Sequence, residues 1–291
     1  MSGPDLLIIG APKCGTTAMT RFLEAHPQVF MAERKDIHFF GSDLDFRNRE
    51  RETDAAYRAR FDAAGPDQLK AESSVWYLYS RDAAAEIAAL NPEARILALL
   101  RHPVDMMHAL WAQLRLNGLG DEDITDFADA LAAETDRVQG RRIPSTTPLP
   151  EALFYRRTAC FSEQLQRYQD AFPAGQIHIV IQEEMKADTS ACWREVCEWL
   201  QIDPDVELEL GEINRSKAIR SEGVRRLIGS TPSGLKGLIP ASARRQLSRW
   251  IRKMNSTHAS RAPMPAELRA ELNAEFAKET AWVESYLGRE I

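Results

Sequence analysis

The sequence predicts an α/β fold of three layers, α/β/α, built on a mainly parallel sheet with helices on both faces. Three observations predict it. Short apolar runs, LLIIG from Leu6, ARILALL from Ala94 and QIHIVI from Gln176, are bounded by turn residues, as strands buried on both faces are. Helix-forming stretches alternate with these runs, the pattern left by strand–helix–strand crossovers. The first run also passes through Gly10 and Gly15, with four residues between them, into a helical stretch, which is the glycine spacing of a phosphate-binding loop.

Each element follows in order. DLLIIG is the first strand, and a helix is expected from Thr16 or Thr17 to about Glu24, with Met19, Phe22 and Leu23 inward and His26-Pro27 ending it. DQLKAESS is a second strand. SRDAAAEIAALNP opens on Ser80 as an N-cap and consists of strong helix formers up to Asn91-Pro92. ARILALLR then runs into HPVDMMHALWAQLRLNG, where Pro103 suits the first helical turn and Asp105 suits the positive end of the helix dipole. Val104, Met107, Trp111 and Leu114 form one apolar stripe there before Gly118. Acidic, polar sequence to about Pro150 reads as insertion and loop. A long helix near 151–172, the strand QIHIVI and a helix near 189–200 complete the alternation.

The bulk properties narrow the class. With 291 residues and 44% hydrophobic content the chain can bury a core, and one domain over 1–291 is expected, with a basic helical region from about 215 packed on it. Cys14, Cys160, Cys192 and Cys197 show neither a CxxC pair nor a disulfide spacing, which argues against zinc and for a reducing compartment. No apolar run reaches about eighteen residues, so a soluble, cytoplasmic protein is expected. The net charge of −6 conceals a basic stretch: Arg215 to Arg261 holds twelve Lys/Arg and one acid, Glu222.

The loop APKCGTT carries the chemistry. A strand–loop–helix junction offers backbone N–H groups and the positive helix end to an anion, and here Lys13, Thr16 and Thr17 add a cation and two hydroxyls. The lysine precedes the second glycine, and Thr16 holds the place a nucleotide-triphosphate loop gives to its lysine. Cys14 reads as a small spacer. This loop resembles the 5′-phosphosulfate loop of sulfotransferases that use 3′-phosphoadenosine 5′-phosphosulfate (PAPS) and release 3′-phosphoadenosine 5′-phosphate (PAP). The resemblance implies a P-loop NTPase-like sulfotransferase fold, closest to the carbohydrate-type and bacterial branches. It implies that Lys13 reaches the oxygen bridging phosphate and sulfate, that Cys14, Gly15, Thr16 and Thr17 surround the 5′-phosphate, and that no metal is required.

The same resemblance extends along the chain. ALLRHPVDMMHALW is similar to the family's 3′-phosphate segment, which implies that role for Arg101, with Ala109 where a serine is usual. NSTHASRAP is the candidate for the family's basic loop, with Arg261 as its cation. AERKDIHFFG resembles a Lys-Glu-x-His-Phe-Phe segment whose glutamate is the usual base; Asp36 stands there, and either Asp36 or His38 would take the acceptor's proton. KAESSVWYL falls where a Glu-Lys-Thr-Pro motif is common, and Ser73 replaces its lysine, against a heavily sulfated glycan acceptor. Trp76 and Tyr77 line the acceptor cleft or belong to the core. FSEQLQRYQDAFPAGQIHIVIQEEM and PMPAELRAELNAEFAKETAWVESYLG are similar to the family's late helix–strand unit and C-terminal helix.

Three functions stay open on sequence: sulfuryl transfer to a hydroxyl or amine of a small molecule, glycan or lipid; a P-loop kinase; and a nucleotide-binding relative without turnover. The basic amphipathic segment 241–254 either docks on the domain or touches an anionic membrane as a peripheral contact. No nucleic-acid recognition motif accompanies it.

Overall fold

The computed structural model describes residues 3–47, 49–116, 121–206 and 263–290, and the backbone of 218–219 and 256–257. Five parallel strands form the sheet: β1 (Leu6–Gly10), β2 (Val29–Met31), β3 (Leu69–Ser73), β4 (Arg95–Leu100) and β5 (Ile177–Ile181), in the order β2-β3-β1-β4-β5. β1 is central and wholly buried, which is why LLIIG is apolar on both faces. β2 is only three residues long and half-buried, too short for a periodicity signal, and was not expected from sequence.

Helices α1 (Thr16–Ala25), α2 (Asp54–Ala59), α3 (Ala83–Leu90) and α4 (Pro103–Leu116) link the first four strands or follow them. Met19, Phe22 and Leu23 of α1, and Val104, Met107, Trp111 and Leu114 of α4, are buried as their spacing requires. α3 begins three residues after Ser80, and Asp82 occupies the cap position without a side-chain bond to the helix end. Ser80 nevertheless serves the end of that helix, because its Oγ accepts from the N–H of Asp82 and Ala83 at 3.1 and 3.0 Å. The 121–150 stretch is more ordered than its polarity suggests and contains α5 (Phe127–Ala132) and α6 (Glu134–Val138).

The single helix expected over 151–172 is instead a 3₁₀ turn at Pro150–Leu153, then α7 (Tyr155–Thr158) and α8 (Phe161–Ala171). The breaks follow from residues that leave the helical region, Phe154 at ψ 76° and Cys160 at ψ 74°. Beyond β5 come α9 (Gln182–Ala187) and α10 (Thr189–Leu200), the latter capped by Asp188 on the N–H of Ala191 at 2.9 Å. Strands β6 (Ala218–Ile219) and β7 (Ser256–Thr257) pair antiparallel. The C-terminal helix divides at Phe276 into α11 (Ala266–Glu275) and α12 (Ala277–Leu287). Arg261 and the basic segment 241–254 lie outside the described residues.

This strand order positions the site. The chain leaves β1 toward β2 and β3 on one side, and β4 continues to β5 on the other, so a crevice opens beyond the carboxyl ends of the central strands. Among the described residues, no helix is long and apolar enough to cross a membrane.

Candidate active site

The loop between β1 and α1 fills that crevice. Gly10 has φ 149°, Lys13 φ 66° and Gly15 φ 92°, a sequence of left-handed turns that brings the backbone around on itself. A Cβ at Gly10 would lie 2.7 Å from the carbonyl oxygen of Val75, and one at Gly15 would lie 2.6 Å from Cε of Met185. The two glycines thus let the loop pack between the end of β3 and the first turns of α9. Helix α1 starts immediately after Gly15 with no side-chain cap and no acidic residue in its first turn. Its positive end is left for an anion.

Lys13 reaches across to α4, where its Nζ donates to Oε1 of Gln113 at 3.0 Å. Sequence reasoning did not find Gln113; nothing local marks a glutamine a hundred residues away as the lysine's partner. Thr16 is buried and Thr17 half-buried at the helix start. Cys14, read as a small spacer beside the 5′-phosphate, turns its thiol away: it is fully buried, contacts the Pro12 carbonyl oxygen at 3.4 Å, and burial pushes its pKa far up. It is a packing residue, and only its backbone belongs to the loop.

Arg101 follows β4, the strand beside β1, and the loop is joined to that strand by the Ala11 N–H donating to the Leu99 carbonyl at 2.6 Å. Its Nε lies 3.3 Å from Oε1 of Glu183 in the first turn of α9, an ion pair without hydrogen-bond geometry. Glu183 approaches the Nε edge of the guanidinium. Ala109 is buried within α4 and offers only a methyl group.

The segment after β2 supplies the other half. Asp36 and His38 both adopt left-handed backbone, φ 60° and 51°. Asp36 accepts from the Val75 N–H at 3.3 Å, and Lys35 stands 3.5 Å from the same oxygen, Oδ1, while the side chain stays 42% exposed. Val75 therefore separates Asp36 from the glycine loop by one residue. Arg49 ties the segment down by donating to the carbonyls of Asp36 and Ile37.

His38 is 8% exposed, stacks on Phe46 at 4.3 Å, and keeps a buried Nδ1 without a hydrogen-bond partner. Burial lowers its pKa to about 4, only partly opposed by the nearby Asp36 carboxylate. It is neutral at pH 7, suited to accept a hydrogen bond and poorly suited to hold a proton. A cavity of about 270 Å³ opens against it, walled by Phe46, Trp76, Leu114, Leu149 and Arg49 among others. Leu114 lines the cavity, and Gln113, the partner of Lys13, precedes it on α4. Trp76 lines the cavity, whereas Tyr77 is core.

The histidine has a measurable consequence for stability. Its folded pKa lies below the unfolded value, so the unfolded chain binds the extra proton between about pH 6.5 and 4. The contribution is intact above pH 6.5 and is lost as pH falls toward 4. Melting temperatures across that window should fall more steeply for the native protein than for His38→Asn; parallel curves would contradict the assignment.

Comparison with known proteins places the fold in a family. A family model described as a sulfotransferase domain matches residues 3–217. Heparan sulfate glucosamine 3-O-sulfotransferase 5 of Mus musculus is 27% identical over 178 residues, 61% of this chain and 47% of that protein. Bifunctional heparan sulfate N-deacetylase/N-sulfotransferase 2 of Homo sapiens is 30% identical over 211 residues, 69% of this chain and 22% of that protein. The chain thus spans about half the length, or less, of these curated relatives. A crystal structure of a sulfotransferase from Alicyclobacillus acidocaldarius superposes with a TM-score of 0.73 at 24% identity, covering 100% of this chain and 98% of that one, which shows a shared fold. With a match over most of its length and a lysine-bearing glycine loop at the carboxyl edge of a parallel sheet, the chain belongs to the sulfotransferase domain family.

Proposed function

We propose that this chain transfers a sulfuryl group from PAPS to a hydroxyl or amine of an acceptor seated against His38. One observation carries the reading. Lys13, the uncapped start of α1 and Arg101 lie together at the ends of two adjacent strands, β1 and β4. The residues fit a bisphosphorylated nucleotide on structural grounds: Gly15, at φ 92°, ends the loop at a helix start with no side-chain cap and no acidic residue in its first turn, and Lys13 and Arg101 follow the adjacent strands β1 and β4.

When bound, PAPS supplies the sulfuryl group on a phosphate leaving group. The Lys13 ammonium is placed to neutralise charge on the departing phosphate oxygen, with Gln113 holding it in position. The backbone N–H groups of Gly15, Thr16 and Thr17 bind the 5′-phosphate, and Arg101 grips the 3′-phosphate without help from Ala109. A missing hydroxyl contact there costs roughly 1 kcal/mol of donor affinity. Asp36, with a half-exposed carboxylate, takes the acceptor's proton, and neutral His38 orients the acceptor by accepting its hydrogen bond. The relatives named for heparan sulfate support a glycan acceptor. The cavity is at the small end of ligand pockets, so one ring of the acceptor faces His38, not an extended chain.

Thermal unfolding with PAP against ATP and magnesium tests the donor. At about a hundred times its dissociation constant PAP adds roughly 2.7 kcal/mol, expected to raise Tm by several degrees in a chain of this size. A rise with ATP and magnesium alone would replace the reading with a kinase.

A further inference from the structure

Glu72 is fully buried near the end of β3, yet no part of the donor or acceptor site described above uses it. Its carboxylate takes three hydroxyl protons. Oε1 accepts from Ser74 Oγ at 2.6 Å and from Tyr77 Oη at 2.7 Å, and Oε2 accepts from Tyr57 Oη. A hydroxyl has one proton to give, and giving it here fixes the direction of everything else it does. Ser74 Oγ then accepts from the His38 N–H at 3.0 Å, and Tyr77 Oη accepts from the N–H groups of Phe39 and Phe40 at 2.8 and 3.4 Å. The carbonyl of Ser73 takes the Asp36 N–H at 2.7 Å.

We propose that Glu72 is a positioning residue for sulfuryl transfer: by drawing the Ser74 and Tyr77 protons inward, it turns both oxygens toward the backbone that carries Asp36 and His38. The need for such a device is visible in that backbone. Asp36 and His38 occupy left-handed conformations that residues with a Cβ hold only when surrounding contacts fix them. Without acceptors for three successive N–H groups, the segment relaxes toward ordinary φ values and moves both side chains. This inference rests on the reading that the segment supplies the proton acceptor.

The geometry provides its own control. Tyr57 and Tyr77 each give one hydroxyl to Glu72, but only the Tyr77 hydroxyl also accepts from the segment; Tyr57 meets Phe39 through its ring, stacked at 3.9 Å, which phenylalanine preserves. Tyr77→Phe should lower kcat about ten- to a hundredfold, the scale of a small misplacement of a reacting group, with the donor KM and the PAP-induced rise in Tm unchanged. Tyr57→Phe should lower Tm and leave kcat within about twofold. Glu72→Gln can turn its carbonyl to Ser74 and Tyr77 and its amide to Tyr57, and so should rescue most of the turnover that Glu72→Met loses.

Turnover is read as sulfate transfer from PAPS to heparosan oligosaccharides, and hydrogen exchange of the peptide spanning 36–41 is measured on the same proteins. Faster exchange there in Tyr77→Phe and Glu72→Met, but not in Tyr57→Phe, supports the proposal even if heparosan is not the acceptor. Equal losses of kcat in both tyrosine variants, or unchanged exchange at 36–41 in Tyr77→Phe, overturn it. Loss of the PAP response in the unaltered protein would instead remove the donor reading.

Discussion

Lys13→Ala is expected to reduce transfer by about a thousandfold, the upper range for removing one preorganised charge-stabilising donor from a transition state. The argument is one of charge. On the proposed reading the bond that breaks leaves charge on a phosphate oxygen, and Lys13 is the cation of the glycine loop, held by Gln113 at 3.0 Å. The folded state should barely notice: Lys13 is half-exposed, its backbone is already left-handed, and a surface change of this kind shifts stability by about 0.5 kcal/mol. PAP should still raise Tm, because the helix end and Arg101 remain. Single-turnover transfer from labelled PAPS, run beside the PAP melting curve, separates these effects. Normal turnover in the alanine variant would exclude Lys13 from the chemistry.

Arg137→Leu carries the largest expected cost in stability. Arg137 and Glu122 have fully buried side chains joined by two bonds, Nη2 to both carboxylate oxygens at 2.9 and 2.7 Å. The remaining polar atoms are matched as well: Tyr155 Oη donates to Glu122 at 2.6 Å, and Arg137 donates to the carbonyls of Leu153 and Arg142 at 3.1 and 3.2 Å. Leucine would leave the Glu122 carboxylate enclosed without its counter-charge, a loss of about 3–5 kcal/mol, or roughly 10 °C in Tm. Replacing Glu122 by methionine as well should recover part of it, since the uncompensated charge is then gone. Denaturant titration of the single and double variants measures both; a single-variant loss under about 1 kcal/mol would mean the carboxylate finds water or a proton instead. Because this pair clamps residues 121–158, and Thr147, Leu149 and Ala152 of that stretch line the cavity, the acceptor side should loosen before the donor side does.

Much of the fold was legible because its signals are local. LLIIG, ARILALL and IHIVI became β1, β4 and β5, and the stripes on α1 and α4 point inward as their spacing requires. The 121–150 stretch was misread as loop because part of its order comes from a buried ion pair, and two charged residues fifteen apart look solvated in a sequence. The helix expected at 151–172 broke at Phe154 and Cys160, where packing overrides residues that favour helix individually.

For the site, the sequence by itself determined the glycine loop and its lysine, since the turn needs glycine at Gly10 and Gly15 and the anion needs a cation; the spacing records both. It also placed Asp36 and His38 together in one short segment. Only the tertiary structure decided what each of these groups can do. It buried the Cys14 thiol and left its backbone to the loop. It lowered the His38 pKa by removing water. It brought Gln113 to Lys13, Glu183 to Arg101, and Glu72 beneath the Asp36–His38 backbone. Hydrogen bonds and charge act over a few ångströms of space, and the sequence does not show which distant residues the fold will bring within that reach.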